Sequence, residues 1–187
     1  MPDFQDSLLN FIKPLYQDLD GTSRFEEVER VRRIAERLYQ PLIDQDRRVF
    51  ALLLLFQGLG PWLNKVGNQS RVLLAMGNHV TEAELRTIVD SLRRSPQPQS
   101  AAEIALAAAR VIDTAGVRGL VSRFAAARRE GTNPVEVART VLADGEPTAL
   151  WMTPEAQAWV SMRHAKTVQL CRDVLAETDV EDARTSK

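Results

Sequence analysis

The chain has 187 residues, with 24 Lys and Arg against 25 Asp and Glu, a formal net charge of −1, 44% hydrophobic residues and a single cysteine. That length suits one folded domain with a core that needs no staples, and the balanced charge argues against a broad polyanion-binding surface. Cys171 alone excludes an internal disulfide and any multi-cysteine metal site, and its amphipathic surroundings read as those of a buried, inert thiol.

The longest unbroken apolar run, 49–56, falls far short of the roughly 20 residues that cross a bilayer. The amino terminus lacks the basic region and apolar core of an export signal. The expectation is a soluble, cytoplasmic protein that binds neither nucleic acid nor membrane. Its arginine and alanine content is of the kind associated with bacterial chains.

Leu8, Leu9, Phe11, Ile12, Leu15 and Tyr16 recur at helical spacing, with Pro14 a kink or restart, until Asp18-Leu19-Asp20-Gly21 breaks the pattern. This predicts an amino-terminal helix within 1–19 that packs on the domain. Thr22 or Ser23 caps the next helix, whose apolar face is Val28, Val31, Ile34, Ala35 and Leu38 and whose end lies near Tyr39-Gln40-Pro41. Asp46 caps a third helix over about 45–58. Its apolar residues go all the way round, which predicts a central, buried helix stopped by Gly58, Gly60 and Pro61.

After a loop carrying Trp62, a short helix through Val72 to Met76 closes at Gly77-Asn78. Thr81 and Glu84 form a capping-box signature ahead of Leu85, Ile88, Val89 and Leu92. A proline-broken polar loop over 93–100 precedes a helix with Glu103 as its third-position acid and alanines that permit close approach. Gly116 and Gly119 tighten the region before Leu120, loops follow at 129–134 and 144–147, and a long helix starts at Thr153-Pro154 and runs to about Glu177. The tail 178–187 reads as polar and frayed. No alternating strand pattern or hairpin signal appears, so the fold class is all-α.

The segment Asp20-Gly21-Thr22-Ser23-Arg24-Phe25-Glu26-Glu27-Val28-Glu29-Arg30-Val31 resembles the Asp-x-Ser-His-Asp-x-x-His-Val-x-Arg-Val pattern of the HD-domain metal-dependent phosphohydrolases. Asp46 to Gln57 is similar to that family's Asp-x-x-Val…Ala-Leu-Leu-His-Asp helix, 112–124 to its Leu-Asp-Ala-Leu-Gly-Ala-Val-Gly-Ile-Ala-Arg-Ala-Phe stretch, and Met152 to His164 to its closing helix. The resemblance implies an HD-domain-like helical bundle over 20–177 around the central helix. It also implies that the family's metal ligands are gone: the histidine of the second helix, the His-Asp pair of the central helix and the later aspartate read here as Glu27, Phe56, Gln57 and Ala108, with a further family histidine falling near Arg94 or Ser95. Phe56 and Ala108 coordinate nothing and Gln57 offers one weak carbonyl, so no metal and no cofactor is expected.

Three functions stay open. The first is a metal-free pseudo-phosphohydrolase whose relict cleft, lined by Arg30, Phe56, Gln57, Trp62, Arg94, Ala108 and Arg110, binds a small organic molecule, with a protein partner or self-association as a further role. Trp151 can flank that cleft. The second is a metal-independent isomerase, cyclase or lyase with Glu27 as acid or base and Gln57 and Arg94 beside it. The third is a phosphohydrolase with an atypical metal site. Against these stand plainer roles: Phe56 as core filler, Arg30 in a structural ion pair, Asp113 bracing the Gly116 turn, His79 in an exposed loop and His164 on a helix surface.

Overall fold

A computed structural model describes residues 4–17, 25–77, 79–94 and 97–185, with the side chains of 4–7, 17, 66 and 179–185 excepted. The described residues form ten helices and no strand: α1 (Phe4–Gln17), α2 (Phe25–Gln45), α3 (Arg47–Phe56), α4 (Gly60–Leu63), α5 (Val66–Met76), α6 (Glu82–Arg93), α7 (Ala101–Ala115), α8 (Val117–Glu130), α9 (Pro134–Asp144) and α10 (Pro154–Thr185). The fold class is all-α, as the sequence predicts. None of the described helices is long and apolar enough to cross a membrane. The chain divides into two compact units, 1–109 and 110–187, with the boundary inside α7, and the expected domain 20–177 spans both.

In the first unit the leucine run sets the arrangement. Asp46 caps α3 by accepting from the Val49 N–H at 3.1 Å, and Phe50 and every residue from Leu52 to Phe56 are buried. A helix apolar on all sides is stable only when neighbours cover each side; α1, α2 and α6 pack against it. Its carboxyl end still leaves carbonyls without intrahelical partners. The buried Tyr16 hydroxyl of α1 donates to the Leu55 carbonyl at 2.9 Å and accepts from the Gly58 N–H at 3.2 Å, closing that end.

Two expected stops turn out otherwise. α2 does not end at Pro41 but continues to Gln45 after a single non-helical residue, Tyr39 (φ −130°, ψ 20°). Proline fits the first turn of a resumed helix, where its missing N–H costs nothing. α10 continues to Thr185, past the expected end near Glu177. The predicted break at Asp18–Gly21, the cap at Thr22 or Ser23, and Asn78 and Ser95 lie outside the described residues. α1 passes through Pro14, and the stretch after Gly58 contains the short helix α4 where a loop is expected.

At the amino end of α6 the predicted capping box forms, with the Thr81 side chain accepting from the Glu84 N–H and Glu84 accepting from the Thr81 N–H. Arg48 in the first turn of α3 reaches the same carboxylate, Nε to Oε1 at 2.5 Å, and also the His79 carbonyl. His79 is thus a half-buried anchor for Arg48 through its backbone.

In the second unit α8, α9 and α10 pack on one another around Leu120, Ala138, Val141 and Cys171. Burial pushes the Cys171 thiol pKa up, which fits an inert core thiol. Gly131 (φ 75°) ends α8 in the left-handed conformation, and the Thr132 N–H returns to the Ala127 carbonyl at 2.8 Å. Asn133 with Pro134 and Thr153 with Pro154 then start α9 and α10.

Gly119 permits the tight passage from α7 to α8: a Cβ there would lie 2.0 Å from the Thr114 carbonyl oxygen. Gly119→Ala is expected to lower stability by about 2–3 kcal/mol, since backbone rather than a flexible side chain blocks the methyl. Gly67→Ala, inside α5 with nothing within 4 Å of the new methyl, should instead gain up to about 1 kcal/mol. Denaturant midpoints test both, and an unchanged midpoint for Gly119→Ala would show that the two helix ends separate freely.

Candidate functional site

The residues singled out from the sequence divide between core, surface and ion pairs. Phe56 and Ala108 have no exposed area. Phe56 is one of the largest fully buried side chains, so it fills core instead of walling an open cleft. Glu27 and Arg30 lie half-buried on α2, and each is engaged with a partner. Trp62 lies half-buried with the Arg71 guanidinium over its ring, 5.7 Å from the centroid. Arg110 belongs to the second unit, is half-buried and is also engaged. Asp113 on α7 is buried and engaged, and Trp151 is half-buried in the second unit.

Arg94 serves a local network. Its Nη2 donates to Glu103 Oε1 at 2.9 Å, Ser91 Oγ donates to the same oxygen at 2.5 Å, and the Gln99 N–H donates to Oε2 at 2.7 Å. Burial favours the protonated form of Glu103, but the donors from Ser91, Gln99 and Arg94 outweigh it and hold the carboxyl below its ordinary value. The network ties the end of α6 to the start of α7, and the guanidinium is the counter-ion of Glu103.

Gln57 differs from the rest. It is 8% exposed, and neither Oε1 nor Nε2 has a hydrogen-bond partner. An orphaned buried amide is unfavourable, because the unfolded chain solvates it fully. Among the described residues no group of three or more His, Cys, Asp or Glu comes together to hold a metal ion. With Phe56 and Ala108 lacking any donor atom, the residues at the expected positions do not fit a divalent metal.

Open space lies elsewhere in the first unit. A cavity of about 250 Å³ sits between α1, α2 and α3, floored by Leu9, Val28, Ile43, Phe50, Leu54 and Leu55 around Ala51. Its rim is Glu29, Arg32, Glu36, Gln40 and Arg47. Arg32 pairs with Glu29 at 2.8 Å, and Arg47 pairs with Asp44 at 2.6 Å, an acid that also accepts from Gln40 at 2.8 Å. Glu36 is the rim charge left without an ion pair among the described residues. None of the residues expected to line a cleft borders this cavity. The available signal was the polar stripe Glu29, Arg32, Glu36 and Gln40 at helical spacing, together with Ala51, the one small residue in the run 49–56.

Two measurements follow from these environments. Gln57→Met, which keeps the volume and removes both orphaned groups, is expected to raise stability by about 1 kcal/mol; a lower denaturation midpoint would mean that a buried water bonds the amide. Glu84 is held at about 2 from an ordinary 4.5, chiefly by the hydrogen bond from Arg48. A carboxyl depressed in the folded state contributes stability that is complete above its unfolded pKa and is lost as it protonates. Thermal stability should therefore hold above about pH 4.5 and fall toward pH 2. A Glu84→Gln variant with the same acid profile as the parent would remove Glu84 from that account.

Compared with protein-family models, with curated proteins and with solved structures, the chain matches none.

Proposed function

We propose that this chain is a metal-free, HD-like helical protein that binds a small organic molecule in the cavity between α1, α2 and α3, one face away from the relict metal position. The cavity itself carries the reading: seven apolar side chains surround about 250 Å³ beneath a polar rim, close to the lower end of the usual size of ligand pockets. The resemblance to HD phosphohydrolases supports the scaffold, and the side chains at the family's metal positions support the loss of hydrolysis, since Phe56 and Ala108 are packed as core. The plugged cleft moves the binding role from the residues around Gln57 to the neighbouring space.

The rim selects the ligand. Both arginines there have carboxylate partners, whereas Glu36 is uncompensated, so the preferred occupant has an apolar body of one ring or a short alkyl chain and a cationic head. Phenethylamine is a suitable probe, with 3-phenylpropionate as its oppositely charged counterpart. Calorimetry is expected to show the amine binding and the acid binding at least about ten-fold more weakly. Ala51→Phe should abolish amine binding by filling the cavity, and Glu36→Gln should weaken it about ten-fold. Equal binding by Ala51→Phe, with an unchanged helical circular dichroism spectrum, would sink the assignment to this cavity.

A further inference from the structure

A second cavity, of about 290 Å³, lies wholly within the second unit between the end of α7, α8, α9 and α10. Val111, Leu120 and Val141 give it an aliphatic side with no polar side-chain atom. Thr114, Thr167, Asp144, Arg123 and His164 give it a polar side.

The hydrogen-bond inventory of that polar side is lopsided. The buried Thr167 hydroxyl donates to the Ala115 carbonyl at 2.9 Å, and the Thr114 hydroxyl donates to the Arg110 carbonyl at 2.9 Å. Each hydroxyl has one proton, so both present only lone pairs to a group entering the cavity. The Asp144 carboxylate is likewise an acceptor. Together these three call for a ligand with several N–H donors on one centre.

The opposite need is met beside them. Arg123 forms an ion pair with Asp144, Nη1 to Oδ2 at 3.6 Å, a separation beyond hydrogen-bond distance, so the N–H donors of its fork stay available to a ligand. The His164 ring nitrogens make no hydrogen bond among the described residues. Glu146, held by Gln157 at 2.7 Å and Ser161 at 2.6 Å, lies within electrostatic reach of His164.

Acceptors and a guanidinium fork together on the polar side, with aliphatic side chains lining the same cavity, match one class of molecule. We infer that this cavity binds an aliphatic α-amino acid, its ammonium against Thr114, Thr167 and Asp144, its carboxylate against Arg123 and His164, and its side chain on Leu120 and Val141. A simple anion meets Asp144 and two acceptor-only hydroxyls, and a simple cation meets Arg123, so a zwitterion satisfies what neither does alone. This site is independent of the amine cavity of the first unit.

The full chain, labelled with ¹⁵N, can be titrated separately with L-valine, L-leucine and L-isoleucine, and with isoamylamine and N-acetyl-L-leucine, while the Gly145 amide and the His164 ring are followed by NMR. At least one amino acid should give saturable shifts with a dissociation constant of about 1 mM or tighter, and the amine and the acetylated compound should bind at least about ten-fold more weakly. Arg123→Met and Asp144→Asn, at exposed side chains whose loss leaves the core intact, should each weaken amino-acid binding about ten-fold. The Ala51→Phe variant should bind the amino acid as the parent does. Absence of shifts with all three amino acids, isoamylamine binding as tightly as L-leucine, or parent-like binding by both charge variants would each overturn the inference.

Discussion

A helix buried on every side has only the protein to complete its ends, and in this chain one phenolic hydroxyl does so for α3. Tyr16 bonds at once to the Leu55 carbonyl and the Gly58 N–H, so the leucine run stops where α1 lets it stop. The other end is fixed by Asp46 on the Val49 N–H and by Arg48 on Glu84 and the His79 carbonyl. Between these two clamps the side chains of Leu52 to Phe56 define where α1, α2 and α6 can lie. At the carboxyl end the Tyr16 to Leu55 bond is buried, so the protein and not solvent supplies that partner.

The same burial shapes the positions where the resemblance would put metal ligands. Residues at the end of α3 are core residues first, and a fully buried phenylalanine there excludes the space that a metal, its waters and a phosphate ester would need. Gln57, next in sequence, keeps a polar side chain in that surrounding without a partner. Arg94, one of the arginines expected to meet an anion there, is bound to Glu103. Two separate cavities, one in each unit, are edged by charged side chains instead: Glu36 in the first, and the Arg123 and Asp144 pair in the second.

What could be read from the residue order follows the range of the forces involved. Asp46, the Thr81 and Glu84 box and Thr153-Pro154 all act within four residues, and each caps the helix that the sequence assigns to it. The burial of α3 was equally legible, because an unbroken run of leucines has no other stable placement. Pro41 misleads because proline at a helix end and proline opening a resumed helix look alike in sequence. The cavities were hidden for a different reason. Their volume is a difference between the shapes of several helices, and a gap left by Ala51 against α1 and α2 has no signature in any one of them. Arg94 and Glu103 likewise meet only because the loop between α6 and α7 turns back, bringing together residues nine positions apart.

The break at Tyr39 has a mechanical consequence for the first cavity. Val28, Glu29, Arg32 and Glu36 line it from the segment before the break, and Gln40 and Ile43 from the segment after it. Pro41 supplies no N–H to the turn below, so the two segments are joined by fewer rungs than a continuous helix would have. That wall is therefore a compliant one. A small change of angle at that single residue would widen or narrow the space over Ala51 while each segment keeps its own hydrogen bonds, without unpacking the leucines beneath.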